Sequence, residues 1–147
     1  MLIVLDSGPL GLLSNPTTSA EPRGIRAWAL RVLDEGGTLV VPEIADYEVR
    51  RELIRAGKQN GIRRLDELAE GLVYEPLRTS HFRQAAALWA ETRNRGAPTA
   101  HDAALDGDVL LAAQALGLLP RDADTVVVTT NPKHLSIFVR AQRWNDL

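Results

Sequence analysis

Cysteine is absent from the 147 residues, which excludes disulfides, thiolate-bound zinc and cysteine catalysis at once. A metal bound by this chain would be a hard cation held by oxygen. Aromatic residues make up only 5% of the chain, too few and too evenly placed for a base-stacking platform, and Trp28 and Trp89 fall on apolar helix stripes that predict core positions. No apolar run approaches the roughly 20 residues that cross a bilayer. Nor does the N-terminus show a basic stretch followed by an apolar run and a cleavage site, so the expectation is a cytoplasmic, soluble protein with no membrane association. No glycine-rich loop ends in Lys-Ser or Lys-Thr, and position 8, two residues after the acid that follows the first strand, is Gly8 rather than a second aspartate. Both absences count against a phosphate-transferring enzyme. The formal charge of −2 argues against indiscriminate polyanion binding, yet it leaves room for a nuclease with acids at its centre and bases around the rim.

Hydrophobic residues form 45% of the sequence, enough to bury the core of one domain spanning 1–147. Short β-branched runs at 2–5, 38–41, 72–75 and 125–129 alternate with segments of helical period, which is the α/β pattern. The runs show little polar alternation, as expected of parallel strands covered on both faces. Ile25, Trp28, Ala29, Val32 and Leu33 predict a helix ending at Gly36-Gly37. Ala45, Val49 and Leu53 mark a helix over 43–56, and Ile62, Leu65, Leu68 and Ala69 another up to Gly71. Phe82, Ala85, Ala86 and Trp89 form a further stripe, broken at Arg95-Gly96-Ala97-Pro98. From Leu105 to Leu116, Val109, Ala112, Ala113 and Leu116 give a compact apolar face whose small alanines permit close helix approach.

Acidic residues recur at the ends of these elements. Asp6 follows the first strand, Glu48 lies near the start of the helix after the second, Asp106 and Asp108 stand at a predicted helix start, and Asn131 follows the last strand. Open α/β sheets bind their ligands at the carboxyl ends of their strands. Clustered carboxylates about 4 Å apart repel by roughly 4 kcal/mol per pair at an effective dielectric near 20, a repulsion that a divalent cation relieves. Magnesium takes oxygen ligands and commonly needs only one or two protein carboxylates.

Four segments, in order and with similar spacing, resemble the PIN domains, and within them the VapC-like toxin ribonucleases of bacterial and archaeal toxin–antitoxin pairs. They are the opening strand with Asp6-Ser7-Gly8, the stretch from Pro42 to Leu53 containing Glu48, the stretch Leu105-Asp106-Gly107-Asp108-Val109-Leu110-Leu111-Ala112-Ala113-Gln114-Ala115, and Val127-Val128-Thr129-Thr130-Asn131-Pro132-Lys133-His134-Leu135. The resemblance covers nearly the whole chain. It implies a three-layer α/β/α fold around a central, mainly parallel sheet of four or five strands, and a magnesium or manganese site. The implied activity is hydrolysis of RNA phosphodiester bonds by the toxin of a type II pair, with a cognate antitoxin as partner and a homodimer packed through helices. On this reading Asp6 and Asp108 are metal ligands, while Glu48 and Asp106 hold metal-bound waters or orient the attacking water.

Each residue also has a plainer reading. Asp6 before Ser7-Gly8-Pro9 suits an ordinary strand-to-turn position. Glu48 suits a solvated helix face, with Glu43 and Glu52 as nearby competitors for its role. Asp106 and Asp108 suit helix capping, Asp102 a loop, and His81 and His101 the surface. The departure from the family pattern lies at the last strand. Asn131 and His134 occupy positions where many members carry an acid, so Asn131 either offers a neutral oxygen to a water or cation or stabilises a turn before Pro132. This departure keeps a second reading open, a catalytically weakened RNA- or protein-binding regulatory module. Arg50, Arg51, Arg55, Lys58, Arg63 and Arg64 crowd one helical region and suit either phosphate contacts or a solvated face.

Overall fold

The computed structural model describes residues 1–96 and 102–147. Five strands form one parallel sheet in the order β3-β2-β1-β4-β5: β1 (Leu2–Leu5), β2 (Thr38–Pro42), β3 (Val73–Glu75), β4 (Thr125–Val128) and β5 (Ala141–Gln142). Seven helices connect them among the described residues: α1 (Ser7–Ser14), α2 (Ala20–Asp34), α3 (Glu43–Arg55), α4 (Gln59–Gly71), α5 (Thr79–Asn94), α6 (Asp102–Leu118) and α7 (Pro132–Leu135). None is long and apolar enough to cross a membrane.

Strand parity builds the three layers. Ile3, Leu5, Leu39, Val41, Val126 and Val128 face a core completed by Leu10, Leu13, Ile25, Trp28, Val49 and Leu65 of α1 to α4. The intervening Val4, Val40 and Val127 face Leu111, Ala115 and Leu118 of α6 and Leu135 of α7. Alternate side chains leave opposite faces of a strand, so covering both faces requires a run that is apolar throughout. The three-layer α/β/α architecture with a five-stranded parallel sheet is the one the sequence implies.

Several local expectations need correction. α1 lies in the stretch expected to be a turn: its sequence SGPLGLLS carries two glycines and a proline, all poor helix formers. Two features make the helix possible there. Pro9 falls in the first turn, where a missing N–H costs nothing, and Gly8 lets the segment beyond β4 pass closely. A Cβ at Gly8 would stand 2.8 Å from Thr130 Cγ2. The stripe on α5 is also displaced by one position. His81, Ala85 and Thr92 are its buried residues, whereas Phe82 and Trp89 are 53% and 39% exposed. α5 packs on α6 through Ala85 against Leu105, Val109 and Ala113, so a narrow seam suffices. His81 is therefore a core residue and not a surface one, its Nδ1 accepting the Arg78 N–H at 3.0 Å. Leu33 is likewise exposed at 42%. Asp102 opens α6 instead of lying in a loop, while His101 falls outside the described residues.

Candidate active site

The strand order places a topological switch between β1 and β4: successive crossovers carry the chain from β1 to β2 to β3, and the next returns it to the far side of β1. Diverging connections leave a crevice beyond the carboxyl ends of those two strands. Asp6 leaves β1 at this point, and Thr129, Thr130 and Asn131 leave β4 beside it.

Asp6 is both a helix cap and a fixed carboxylate. Its Oδ1 accepts the Ser7 N–H at 2.7 Å and its Oδ2 accepts the Thr129 hydroxyl at 2.7 Å. Thr129 is buried, and its Oγ1 in turn accepts the Asn131 N–H at 3.1 Å. The turn reading and the site reading of Asp6 are thus compatible. Hydrogen bonds from both neighbouring strand ends hold the carboxylate in one orientation.

Glu48 and Asp108 reach the same crevice from α3 and α6. Burial and the nearby Asp6 charge push the Glu48 carboxyl above the usual carboxylate range, opposed by the Arg51 guanidinium and reinforced by Asp108. Burial and Asp6 push Asp108 up to about 6, opposed by His134. Asp6 acts on both Glu48 and Asp108, and Asp108 acts on Glu48, so the three share one electrostatic environment. Gly107 makes room for this: a Cβ there would lie 3.4 Å from both carboxylate oxygens of Glu48. Glycine inside a helix costs about 1 kcal/mol relative to alanine, and that cost was the sequence signal for a close approach at this position.

The competing glutamates are engaged elsewhere. Glu43 accepts the Leu77 N–H at 2.6 Å and joins α3 to the loop after β3, and Glu52 pairs with Arg55 on the surface. Asp106 and Asp108 lie inside α6, in its second turn and not at its start, so neither is its cap. Two residues apart, they point roughly 200° around the helix from one another. Asp106 is exposed and is not among the charges acting on Glu48 or Asp108. The Asn131 side chain is exposed and makes no capping bond to α7. Among the described residues, no group of three or more His, Asp or Glu side chains is arranged to hold a metal ion by itself. The donors that face the crevice are nonetheless hard oxygens, the kind that magnesium takes.

A groove of about 480 Å³ opens beside Glu48, lined by Ser7, Gly8, Arg51, Glu52, Arg55 and Lys58 among others. Of the clustered cations, Arg50 is committed to structure, with its guanidinium bonded to Asp46 at 2.9 Å and to Asp66 at 2.7 Å.

No family model matches the sequence, and no curated protein matches it. Solved structures do. The chain superposes on a chain of VapBC2 from Rickettsia felis, crystallised with a DNA fragment from their promoter, with a TM-score of 0.72 over 98% of this chain and 99% of that one, at 16% identity. It superposes on a chain of VapBC-1 from nontypeable Haemophilus influenzae with a TM-score of 0.66 over 99% of each, at 21% identity. At such identities the likeness is one of fold, and that fold is the PIN-like arrangement implied by the sequence.

Proposed function

We propose that the protein is a metal-dependent endoribonuclease that hydrolyses RNA phosphodiester bonds as the toxin of a toxin–antitoxin pair. The observation that carries this reading is the electrostatic convergence of Asp6, Glu48 and Asp108, from three different elements, at the switch point of a fold shared with VapBC proteins. Asp6 and Asp108 are the ligands for magnesium or manganese in this proposal, completed by waters and substrate oxygens as is usual for magnesium. When bound, the cation supplies charge stabilisation at the phosphate and lowers the pKa of a water.

The chain's own residues do the rest. Thr129 and the Ser7 amide hold Asp6 in a fixed orientation. Glu48, with its proton affinity raised by burial and by Asp6, orients the attacking water and takes its proton. Arg51 lowers the cost of ionising Glu48 and lies where an incoming phosphate needs a cation. Asn131 offers a neutral amide oxygen at the rim, while Asp106, on the exposed side of α6 and turned about 200° from Asp108, is left outside this chemistry. The partners that follow are an RNA substrate, a cognate antitoxin and a second copy of the chain.

The test is cleavage of RNA by the purified chain in magnesium or manganese, compared with Asp6→Asn and Asp108→Asn. Loss of metal-supported cleavage in both variants, with folding intact, supports the assignment; normal turnover in both defeats it. The exposed Asn131, and the lack of any preformed three-ligand group among the described residues, favour one second reading, a regulatory module that binds RNA or protein without cutting. Binding without cleavage by folded, metal-loaded protein would select it.

A further inference from the structure

We infer that α3 carries the track along which single-stranded RNA enters the site, with Tyr47 stacking on a base and Arg51, Arg55 and Lys58 contacting successive phosphates. This rests on the ribonuclease reading for its orientation toward the acids. The placement itself comes from the helix.

Positions 47, 51 and 55 are spaced by four residues and form one stripe along α3, and Lys58, beyond the helix end and Gly57, joins them by lining the same groove. All four side chains are exposed. At its upper end the Arg51 guanidinium lies over the Tyr47 ring, 5.1 Å from its centroid, and Tyr47 as a residue is 57% exposed, leaving surface for a base. Arg51 also acts on Glu48, which sets the stripe against the acidic crevice. Arg51, Arg55 and Lys58 line the groove that opens there. A second groove of about 570 Å³ shares Lys58, Leu53 and Gly11 with the first and continues past Asn15, Thr17 and Asn60.

The structure also separates these cations from their neighbours. Arg50 is held by two aspartates, and Arg63 and Arg64 line neither groove. Among the described residues Arg55 pairs with Glu52 alone, both largely exposed, and such surface pairs are weak enough for a phosphate to displace. A cationic groove with an aromatic platform is the arrangement that binds single strands, because every base has a face to stack and the backbone charge is regular. A duplex hides its bases and gains nothing from Tyr47.

The test measures binding apart from hydrolysis: fluorescence anisotropy of a labelled, mixed-sequence single-stranded RNA with the full chain in EDTA, the RNA checked as intact afterwards. Arg51→Gln, Arg55→Gln and Lys58→Gln combined should weaken binding at least tenfold and flatten the slope of log affinity against log salt by about 2, for three contacts on a single strand. Tyr47→Ala should lose about tenfold, and Tyr47→Phe should bind normally. Glu52→Gln should tighten binding, since Glu52 competes with phosphate for Arg55; a folding defect cannot mimic that gain. Triple-variant binding within twofold of the parent with an unchanged slope overturns the inference. An equal loss from a control triple, Arg31→Gln, Arg83→Gln and Arg121→Gln, overturns it too. If the parent cleaves no RNA in magnesium or manganese while the track variants still lose binding, the hydrolytic reading fails and the track stands.

Discussion

One helix carries two carboxylates two residues apart with opposite fates. Asp46 on α3 is buried and fully partnered: Arg50 donates to its Oδ1 at 2.9 Å and the Tyr74 hydroxyl to its Oδ2 at 2.8 Å, and Arg50 goes on to Asp66 of α4. Glu48 is half-buried, and two of the three charges acting on it are other carboxylates. A buried charge is tolerable when paired and hydrogen-bonded. The Asp46 network meets that condition and ties α3 to α4 and β3. In the crevice only Asp6 meets it, through Ser7 and Thr129; Glu48 and Asp108 are instead perturbed by burial and by the Asp6 charge, the pattern that marks a candidate functional site.

Four experiments test this contrast, beginning with the largest expected effect. Asp108→Asn and Asp6→Asn should each reduce metal-supported RNA cleavage at least 100-fold, about 3 kcal/mol in the barrier, with circular dichroism unchanged. Equal cleavage by parent and variants would remove the crevice acids from the chemistry.

Asp46→Ala should behave in the reverse manner. It leaves the Tyr74 hydroxyl without its acceptor and Arg50 with Asp66 as its remaining partner, and should cost about 2 kcal/mol of stability in a denaturant titration, with cleavage per folded molecule retained. A stability loss below about 0.5 kcal/mol would show that Asp46 is no more structural than its neighbour.

The pH dependence of stability sharpens the comparison. Asp108 is raised to about 6 in the folded protein from an ordinary 3.8, so the folded state binds the proton more tightly than the unfolded one. Its favourable contribution is complete below about pH 4 and is lost as pH rises through about 6. Allowing for solvent screening, the loss is about 1–2 kcal/mol. Glu48 shifts in the same direction. Unfolding of the metal-free protein should therefore become easier between pH 4 and 7, and Asp108→Asn should flatten that profile. An unchanged slope in the variant would contradict the assignment.

The smallest effect concerns Asn131. Asn131→Asp should strengthen magnesium or manganese binding several-fold, and Asn131→Ala should impair cleavage less than Asp108→Asn. Indistinguishable metal titrations of parent and Asn131→Asp at fixed pH and ionic strength would return Asn131 to a turn role before Pro132.

Most of the sheet was legible because β1, β2 and β4 are nearly continuous apolar runs, and both-face burial leaves that signature wherever it occurs. β5 was not, since Ala141–Gln142 is a two-residue edge strand defined by its pairing with Val127 and Val128. α1 was hidden because its formation rests on the Asp6 cap and on space beside Thr130, neither of which is a local propensity. At the site, Asp6 could be named from its position at a strand end, whereas Glu48 and Asp108, both inside helices, were named through the family resemblance. Their mutual influence depends on the order β2-β1-β4, which is a property of topology. The same distinction explains the cations: spacing could gather Arg50 with Arg51, while only tertiary structure shows Asp66 of α4 reaching Arg50 and leaving Arg51 beside Tyr47.

The hydrogen bond between Thr129 and Asp6 spans 123 positions of sequence, and this gives the site a timing. The first acid leaves the ribosome early, and the hydroxyl that fixes it emerges only after α6 and β4. A parallel strand inserted beside β1 is a long-range contact that forms late in folding. No fragment ending before Thr129 contains the finished crevice, because the hydroxyl that fixes Asp6 is missing until that residue is made.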